Sequence, residues 1–192
     1  MDEVVQVSVW RNEGLDVRWR PSERSRFKIA LTHQFSDAVI NATRGIDASQ
    51  GVPGAEPVGN MVVTSSAFKQ RRLALDYAYT GDRATFTLAP YVDKIDYVDS
   101  DGFDQTNYGA RAGMIWRLSS NLSLDVSAIH QTIDYDQLDR EDETRQLGAS
   151  LRRQWSAHWS SRIEWANYRR ESTTAGLDAE QNTVFLSVTY IH

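Results

Sequence analysis

The sequence predicts an all-β fold: an antiparallel up-and-down transmembrane β-barrel of about ten strands, or the C-terminal part of a larger barrel. Most segments alternate apolar with polar residues, which places the two sets on opposite faces of a strand. The connections alternate between short and long, and aromatic residues gather at strand ends beside the short ones. Outer-membrane barrels combine these features, with tight periplasmic turns and long extracellular loops.

The predicted strands form one domain over residues 1–192. They are 4–11, 15–20, 25–43, 62–79, 83–98, 105–118, 121–135, 142–155, 158–172 and 181–191. The short connections are 21–24, 80–82, 119–121 and 156–158, and the long ones are 44–61, 99–104, 136–141 and 173–180. An even number of strands puts both termini on the side of the short turns. Segments 25–43 and 62–79 exceed the roughly 9–11 residues that cross a bilayer, so we expect them to project beyond it.

The last strand carries the alternation to the end of the chain. Val184, Leu186, Val188 and Tyr190 share one face, and mostly small or polar residues share the other. These are the lipid-facing positions of a barrel-assembly signal, so we expect this strand to engage the barrel-assembly machinery. A soluble barrel or sandwich with its apolar face inward would alternate equally well, so alternation alone leaves both arrangements open.

The positions of the aromatic residues favour the membrane. Membrane barrels carry a girdle of aromatic residues at each interface, whereas a soluble core concentrates them in mid-strand. Tyr97, Tyr108 and Trp165 are candidates for a girdle beside the long loops. The predicted girdle beside the short turns and the C-terminus consists of Trp19, Tyr79, Trp116, Trp155, Trp159 and Tyr190.

In a membrane barrel the polar faces line the lumen. Pairing across the short turns sets Arg152 opposite Arg162, with Glu164 diagonal to Arg152 and Asp125 diagonal to Arg117. Such charges either form a lattice that only satisfies buried groups or make a selectivity lining for a polar solute. The predicted lumen-lining charges are Arg72, Asp76, Arg111, Arg117, Asp125, Arg152, Arg162 and Glu164.

Composition narrows the function classes. The net charge of −5 argues against a nucleic-acid partner, and the absence of cysteine excludes disulfides and thiolate metal sites. The mean hydropathy is −0.51, and apolar runs are too short for a spanning helix of about 20 residues. The first residues show no signal peptide, so an exported protein would be represented here by a mature or truncated form.

Signs of an enzyme are weak. His130 with Asp134 and Asp136, near the rim of the long loops, is the nearest arrangement to a hydrolase site. No phosphate-binding loop, dinucleotide fingerprint, zinc motif or nucleophile elbow is found. We expect no catalytic residue, no metal site and no cofactor.

Two segments and the last strand resemble a known family. The residues Trp19-Arg20-Pro21-Ser22-Glu23-Arg24-Ser25, the run from Phe68 to Arg83 and the strand from Leu186 to Tyr190 are similar to the PEP-CTERM system-associated outer membrane proteins. The resemblance covers most of the chain and corresponds to the C-terminal half of a longer barrel. It implies a barrel encoded with exopolysaccharide and protein-sorting genes, without catalytic residues to transfer.

These observations predict a non-enzymatic barrel of the cell outer membrane, a structural or conduit component linked to exopolysaccharide export or surface assembly. The expected partners are outer-membrane lipid, lipopolysaccharide and the barrel-assembly machinery, and a polysaccharide is a candidate partner. Two alternatives stay open: a small outer-membrane hydrolase with a site at the rim, and a soluble β-barrel binding module.

Overall fold

The computed structural model describes residues 4–10, 14–36, 68–98 and 104–191, and every regular element in these ranges is a β-strand. No helix in these ranges is long and apolar enough to cross a membrane. The ten strands are β1 (Val4–Trp10), β2 (Gly14–Ser22), β3 (Ser25–Ser36), β4 (Phe68–Thr80), β5 (Ala84–Tyr97), β6 (Gln105–Ser119), β7 (Leu122–Tyr135), β8 (Arg140–Gln154), β9 (Trp159–Ser172) and β10 (Ala179–Tyr190).

Every strand pairs antiparallel with its neighbours in sequence, and the order in the sheet is β1 to β10 without a crossover. The predicted all-β, up-and-down architecture is therefore confirmed. Within the described ranges β1 pairs with β2 alone and β10 with β9 alone, so this sheet has two edges.

The short connections form one end of the sheet. After β4 the chain turns through 81–83, where the Gly81 amide donates to the Ala84 carbonyl at 2.7 Å. Neighbouring turns are joined to each other, because the Thr80 amide donates to the Arg24 carbonyl at 2.7 Å. This end of the sheet is thus a hydrogen-bonded rim of tight hairpins.

The strands run farther than the bilayer requires toward the opposite end. Strands β4 to β9 contain 13 to 15 residues each, compared with the roughly 9–11 of a tilted spanning strand. The loop predicted at 136–141 is a four-residue turn at 136–139, so β8 begins at Arg140 rather than at residue 142. Asp139 adopts a left-handed φ of 42°, which an aspartate tolerates better than most residues. The predicted extensions 37–43 and 62–67 and the predicted loop 44–61 lie outside the described residues, as does most of the loop 99–104.

Burial in this sheet is the reverse of that in a water-soluble protein. Among the described residues, the buried large apolar side chains are those of Phe68, Ile133 and Tyr135. By contrast, Leu73 is 46% exposed and Val188 is 63% exposed. Buried polar side chains are more numerous: Asp16, Asp93, Asn107, Thr132, Asp142, Thr144, Gln146 and Glu164. A soluble barrel would hide its apolar face, so the alternative of a soluble module with the apolar face inward is wrong for this sheet.

Candidate lumen and membrane-facing surfaces

The strand register divides the sheet into two surfaces, because directly paired residues of neighbouring strands lie on the same face. The face that carries Asn107, and all residues in phase with it across the sheet, is called the inner face. The opposite face, which carries Tyr108, is called the outer face. Seven of the eight buried polar residues lie on the inner face, and Thr132 is the exception. The inner face is therefore the enclosed one.

All eight charged residues predicted for the lumen lie on this inner face. On β4 and β6, Arg72 and Arg111 lie over the ring of Tyr91, with guanidinium carbons 4.7 and 6.0 Å from its centroid. A tyrosine ring attracts a cation over its face, so Tyr91 stabilises both arginines between their strands. That these charges line a lumen stays a prediction.

The predicted pairing on β8 and β9 is confirmed, since Arg152 lies directly opposite Arg162. Glu164, however, forms its ion pair with Arg162 on its own strand. Asp125 lies opposite Ile115 and thus diagonal to Arg117, whose guanidinium donates to the Asp82 carbonyl at 3.0 Å. The contacts of Glu164 and Arg117 therefore run along a strand and to a turn rather than to the diagonal partners that were predicted.

One ion-pair cluster on the inner face was missed by sequence reasoning. Asp16 on β2 is only 6% exposed, and its two carboxylate oxygens lie 2.8 Å from Arg18 Nε and 3.2 Å from Lys28 Nζ. Arg18 and Lys28 are directly opposite each other in the β2–β3 hairpin. The turn at 23–24 alone could not have predicted this contact, because a β-bulge between Trp19 and Ser22 shifts the register before it reaches Arg18.

A second missed cluster lies at the loop end of the inner face, outside the spanning part of the sheet. Asp142 is 1% exposed and accepts hydrogen bonds from Arg140 Nε at 3.0 Å, Arg140 Nη2 at 2.5 Å and Ser172 Oγ at 2.5 Å. Burial raises the pKa of Asp142, but the hydrogen bonds from Arg140 and Ser172 and the charges of Arg140 and Arg170 outweigh burial and hold that pKa below its ordinary value. The predicted strand started too late to place Arg140 in this cluster.

Polar side chains also bridge three adjacent strands of the inner face. Gln34 Nε2 on β3 donates to Gln70 Oε1 on β4 at 2.5 Å, and Gln70 Nε2 donates to Asp93 Oδ2 on β5 at 2.7 Å. This chain of amides anchors a buried carboxylate to the wall.

The inner face is strongly basic. On the described strands it carries eleven basic and six acidic residues, an excess of five positive charges, whereas the whole chain has a net charge of −5. The basic residues are Arg18, Arg20, Arg26, Lys28, Arg72, Arg111, Arg117, Arg140, Arg152, Arg162 and Arg170. The acidic residues are Asp16, Asp76, Asp93, Asp125, Asp142 and Glu164.

The six aromatic residues of the predicted girdle all lie on the outer face at the end of the short turns. Trp159 packs on Tyr190 of the last strand with ring centroids 4.8 Å apart. Trp155 donates Nε1–H to Ser161 Oγ at 2.8 Å, and the guanidinium of Arg153 lies 3.9 Å from its ring centroid. Amphipathic rings held this way suit the boundary between hydrocarbon and water.

The prediction that Tyr97 belongs to an outer girdle is wrong. Tyr97 lies on the inner face directly opposite Phe68, with ring centroids 5.7 Å apart. The alternation of β5 puts Tyr97 in phase with Tyr91 rather than with the outward residues. Tyr108 and Trp165 do lie on the outer face, 43% and 41% exposed.

His130 lies on the outer face of β7. Its Nδ1 is 3.5 Å from Glu143 Oε1 on β8, so its acidic partner is neither of the predicted residues, Asp134 and Asp136. Across the described ranges no group of three or more His, Cys, Asp or Glu residues is arranged to hold a metal ion.

Comparisons with known proteins bear on the fold. No family model and no curated protein sequence matches the chain. Among solved structures, a loop L8 deletion mutant of OmpT, an outer membrane protein of Vibrio cholerae, is similar with a TM-score of 0.63 and 10% sequence identity. In-vitro folded OmpT from V. cholerae in its trimer form has a TM-score of 0.63 and 11% identity, and outer-membrane expressed OmpT has 0.61 and 9%.

These alignments cover 92–93% of this chain and 53–55% of the OmpT chains. The chain therefore spans about half of the length of the structures that it matches. At this level of identity the likeness concerns the fold alone, and the fold is that of an outer-membrane β-barrel.

Proposed function

We propose that the ten strands form the wall of a barrel in the cell outer membrane. The outer face supports this location, because it presents exposed apolar side chains in mid-strand and an aromatic girdle at the end of the short turns. The fold of the V. cholerae outer membrane proteins supports it as well.

Membrane fractionation tests this location. The folded protein should sediment with the outer membrane, require detergent for extraction and migrate differently on a gel before and after heating. A protein that stays soluble without detergent would contradict the proposal.

Within that wall, the proposed role is a non-enzymatic conduit with a lumen that prefers anions. The observation that carries this role is the excess of five positive charges on the inner face of a chain whose net charge is negative. A narrow passage lined by one sign of charge concentrates ions of the opposite sign. Arg111 and Arg117 are two of the exposed arginines of the inner face and lie on the same strand, β6.

Conductance in planar bilayers tests the conduit. Under a KCl gradient the reversal potential should have the sign of chloride preference. The variant Arg111→Gln/Arg117→Gln should move it toward zero, whereas Lys69→Gln, which removes a charge from the outer face, should leave it unchanged. Absence of conductance would leave only a structural role, and conductance with cation preference would contradict the proposed anion preference of the lumen.

The proposed substrate class is an acidic polysaccharide. The resemblance to the PEP-CTERM system-associated proteins supports a link to exopolysaccharide export, and a basic inner face complements uronate or phosphate groups along such a polymer. Disruption of the gene should lower the amount of polysaccharide outside the cell, and the charge-reduced Arg111→Gln/Arg117→Gln variant should restore export only in part. Unchanged export after disruption would contradict this link.

A second candidate function is a hydrolase at the rim of the long loops. It is favoured by the contact of His130 Nδ1 with Glu143 Oε1, since a carboxylate that orients a histidine is one part of a hydrolytic site. A hydrolytic activity that is lost in His130→Ala and reduced in Glu143→Gln would favour this function over the conduit.

A further inference from the structure

On the outer face, basic residues mark the end of the apolar surface on the side of the long loops. Beyond the last apolar side chain of the strand, the first ionisable outward residue is basic on β4, β5, β7, β8 and β9, and on β3 the basic His33 is followed by the exposed Phe35. Strand β6 has Thr106 at the corresponding place, and β10 has Glu180. The basic residues are His33, Arg71, Lys94, His130, Arg145 and Arg169.

Strand register gathers these six residues into two rows. His33 is opposite Arg71, which is opposite Lys94, on β3 to β5. The second row, which we call the β7–β9 basic row, consists of His130 opposite Arg145, which is opposite Arg169. Side chains directly opposite each other lie about 5 Å apart at Cβ, and like charges in that arrangement repel. Neighbouring carboxylates offset part of this repulsion, Glu143 beside His130 and Arg145 and Glu171 beside Arg169.

A layer of carboxylates lies one position farther from the apolar surface. Glu143 and Glu171 are directly opposite each other, two residues beyond Arg145 and Arg169 along their strands. Glu143 Oε1 is 2.6 Å from Arg145 Nη2, and Glu171 Oε1 is 2.6 Å from Arg169 Nη2. These ion pairs hold the guanidinium groups at one height, and more than half of each arginine side chain stays exposed.

The order of the layers identifies the occupant by charge. An outer-leaflet glycolipid has acyl chains, then phosphate groups at the base of its carbohydrate, and divalent cations that link phosphates of neighbouring molecules. An apolar surface, a basic row and a carboxylate layer match these three components in the same order. Arginine is well suited to bind the phosphate groups, because its planar guanidinium can donate to two phosphate oxygens at once.

We propose that the β7–β9 basic row binds the phosphate group of a phosphorylated glycolipid in the outer leaflet, with Arg145 and Arg169 as the main ligands. The carboxylates of Glu143 and Glu171 then face the divalent cations that accompany those phosphates. This inference rests on the proposed outer-membrane location and adds the lipid that the wall recognises there.

The site is tested by titrating the detergent-solubilised protein with diphosphoryl lipid A in the presence of Mg²⁺. The measurement is the temperature at which the folded band disappears from the gel. Lipid A should raise that temperature, and Arg145→Gln/Arg169→Gln should weaken the apparent affinity by about tenfold or more, since two charge-assisted contacts are lost. Arg145→Lys/Arg169→Lys should lose less affinity than the double glutamine variant, because lysine keeps the positive charge but not the two-point geometry of the guanidinium. Arg153→Gln is the matched control, because it removes an outward charge of β8 at the opposite boundary of the apolar surface.

Equal affinity in the double glutamine variant, or an equal loss in Arg153→Gln, would overturn the proposal. Equal protection by inorganic phosphate would also overturn it, because the surface would then recognise phosphate without the lipid. Failure of the outer-membrane proposal is distinguished in the same gels: there, no heat-modifiable folded band forms in any sample.

Discussion

Arg140 and Asp142, two residues apart on β8, form a two-point ion pair in which Nε and Nη2 of the arginine donate to separate carboxylate oxygens at 3.0 and 2.5 Å. The guanidinium also lies 4.7 Å from the ring centroid of Tyr135, and Ser172 adds a hydrogen bond from the neighbouring strand. These contacts tie the ends of β7, β8 and β9 together at the rim of the long loops.

We expect Asp142→Asn to destabilise the folded protein by about 2–4 kcal/mol, because removal of one partner leaves the other charge without compensation in a buried place. Urea titration of the refolded protein in detergent measures the change. Asp134→Asn, which alters an exposed carboxylate of the adjacent strand, is the control and should change stability by less than about 0.5 kcal/mol. Equal stability of the two variants would show that the ion pair contributes little.

The same carboxylate predicts a pH dependence. The folded-state pKa of Asp142 is below its unfolded value of about 3.9, so folding favours the ionised form. The stabilisation is complete above the unfolded pKa and is lost as the pH falls through the folded pKa. Unfolding midpoints measured from pH 7 downward should therefore decline below about pH 4 more steeply in the wild type than in Asp142→Asn. Parallel curves would mean that the pKa of Asp142 is not lowered by folding.

Much of the face assignment was predictable, because alternation with a period of two leaves little freedom once a strand is identified. The partners of individual charges were not predictable. Glu164 had two arginines within reach, one two residues away on its own strand at about 6.6 Å and one diagonal across the ladder at about 7–8 Å. The rotamers decide between such distances, and Arg162 forms the pair.

Strand ends were the other weak point of the sequence reasoning. A run of acidic residues is typical of a loop, so the prediction placed residues 140 and 141 outside the strand. In the structure, Asp139 ends a four-residue turn with a left-handed backbone, and the strand begins at the next residue. Alternation also does not state which face a sheet encloses. Only the placement of the girdle residues beside the short turns favoured the membrane arrangement.

Two glycines of the inner face of β6 should respond differently to alanine. A Cβ at Gly109 would lie 2.5 Å from the His130 carbonyl oxygen and 3.0 Å from the Tyr91 hydroxyl, so the backbone of β7 has to move. A Cβ at Gly113 meets only the Thr87 hydroxyl at close range, at 2.8 Å, which can rotate away. We expect Gly109→Ala to cost about 1–3 kcal/mol and Gly113→Ala clearly less. Urea titration checks the order, and a larger loss at Gly113 would contradict the geometry.

The last strand should matter for assembly through its outward aromatic residue. Tyr190 packs on Trp159, with ring centroids 4.8 Å apart, on the face predicted to carry the barrel-assembly signal. Tyr190→Ala should slow the appearance of the heat-modifiable form in cells, and the inward-facing Thr189→Ala should not. A matching delay in spontaneous refolding into detergent would assign the effect to lost packing rather than to the assembly machinery.

The exposed apolar surface predicts that the outer face of the sheet is in contact with lipid. Met114 lies on the outer face midway along β6, and Thr106 lies on the same face beyond its apolar part. In a bilayer, an arginine at the midplane costs about 2–4 kcal/mol and one near the interface about 0–1 kcal/mol. Met114→Arg should therefore destabilise the protein refolded into lipid vesicles by the larger amount and Thr106→Arg by the smaller. If both substitutions were tolerated equally, the outer face would not be in contact with lipid, because an aqueous surface accepts an arginine at either position.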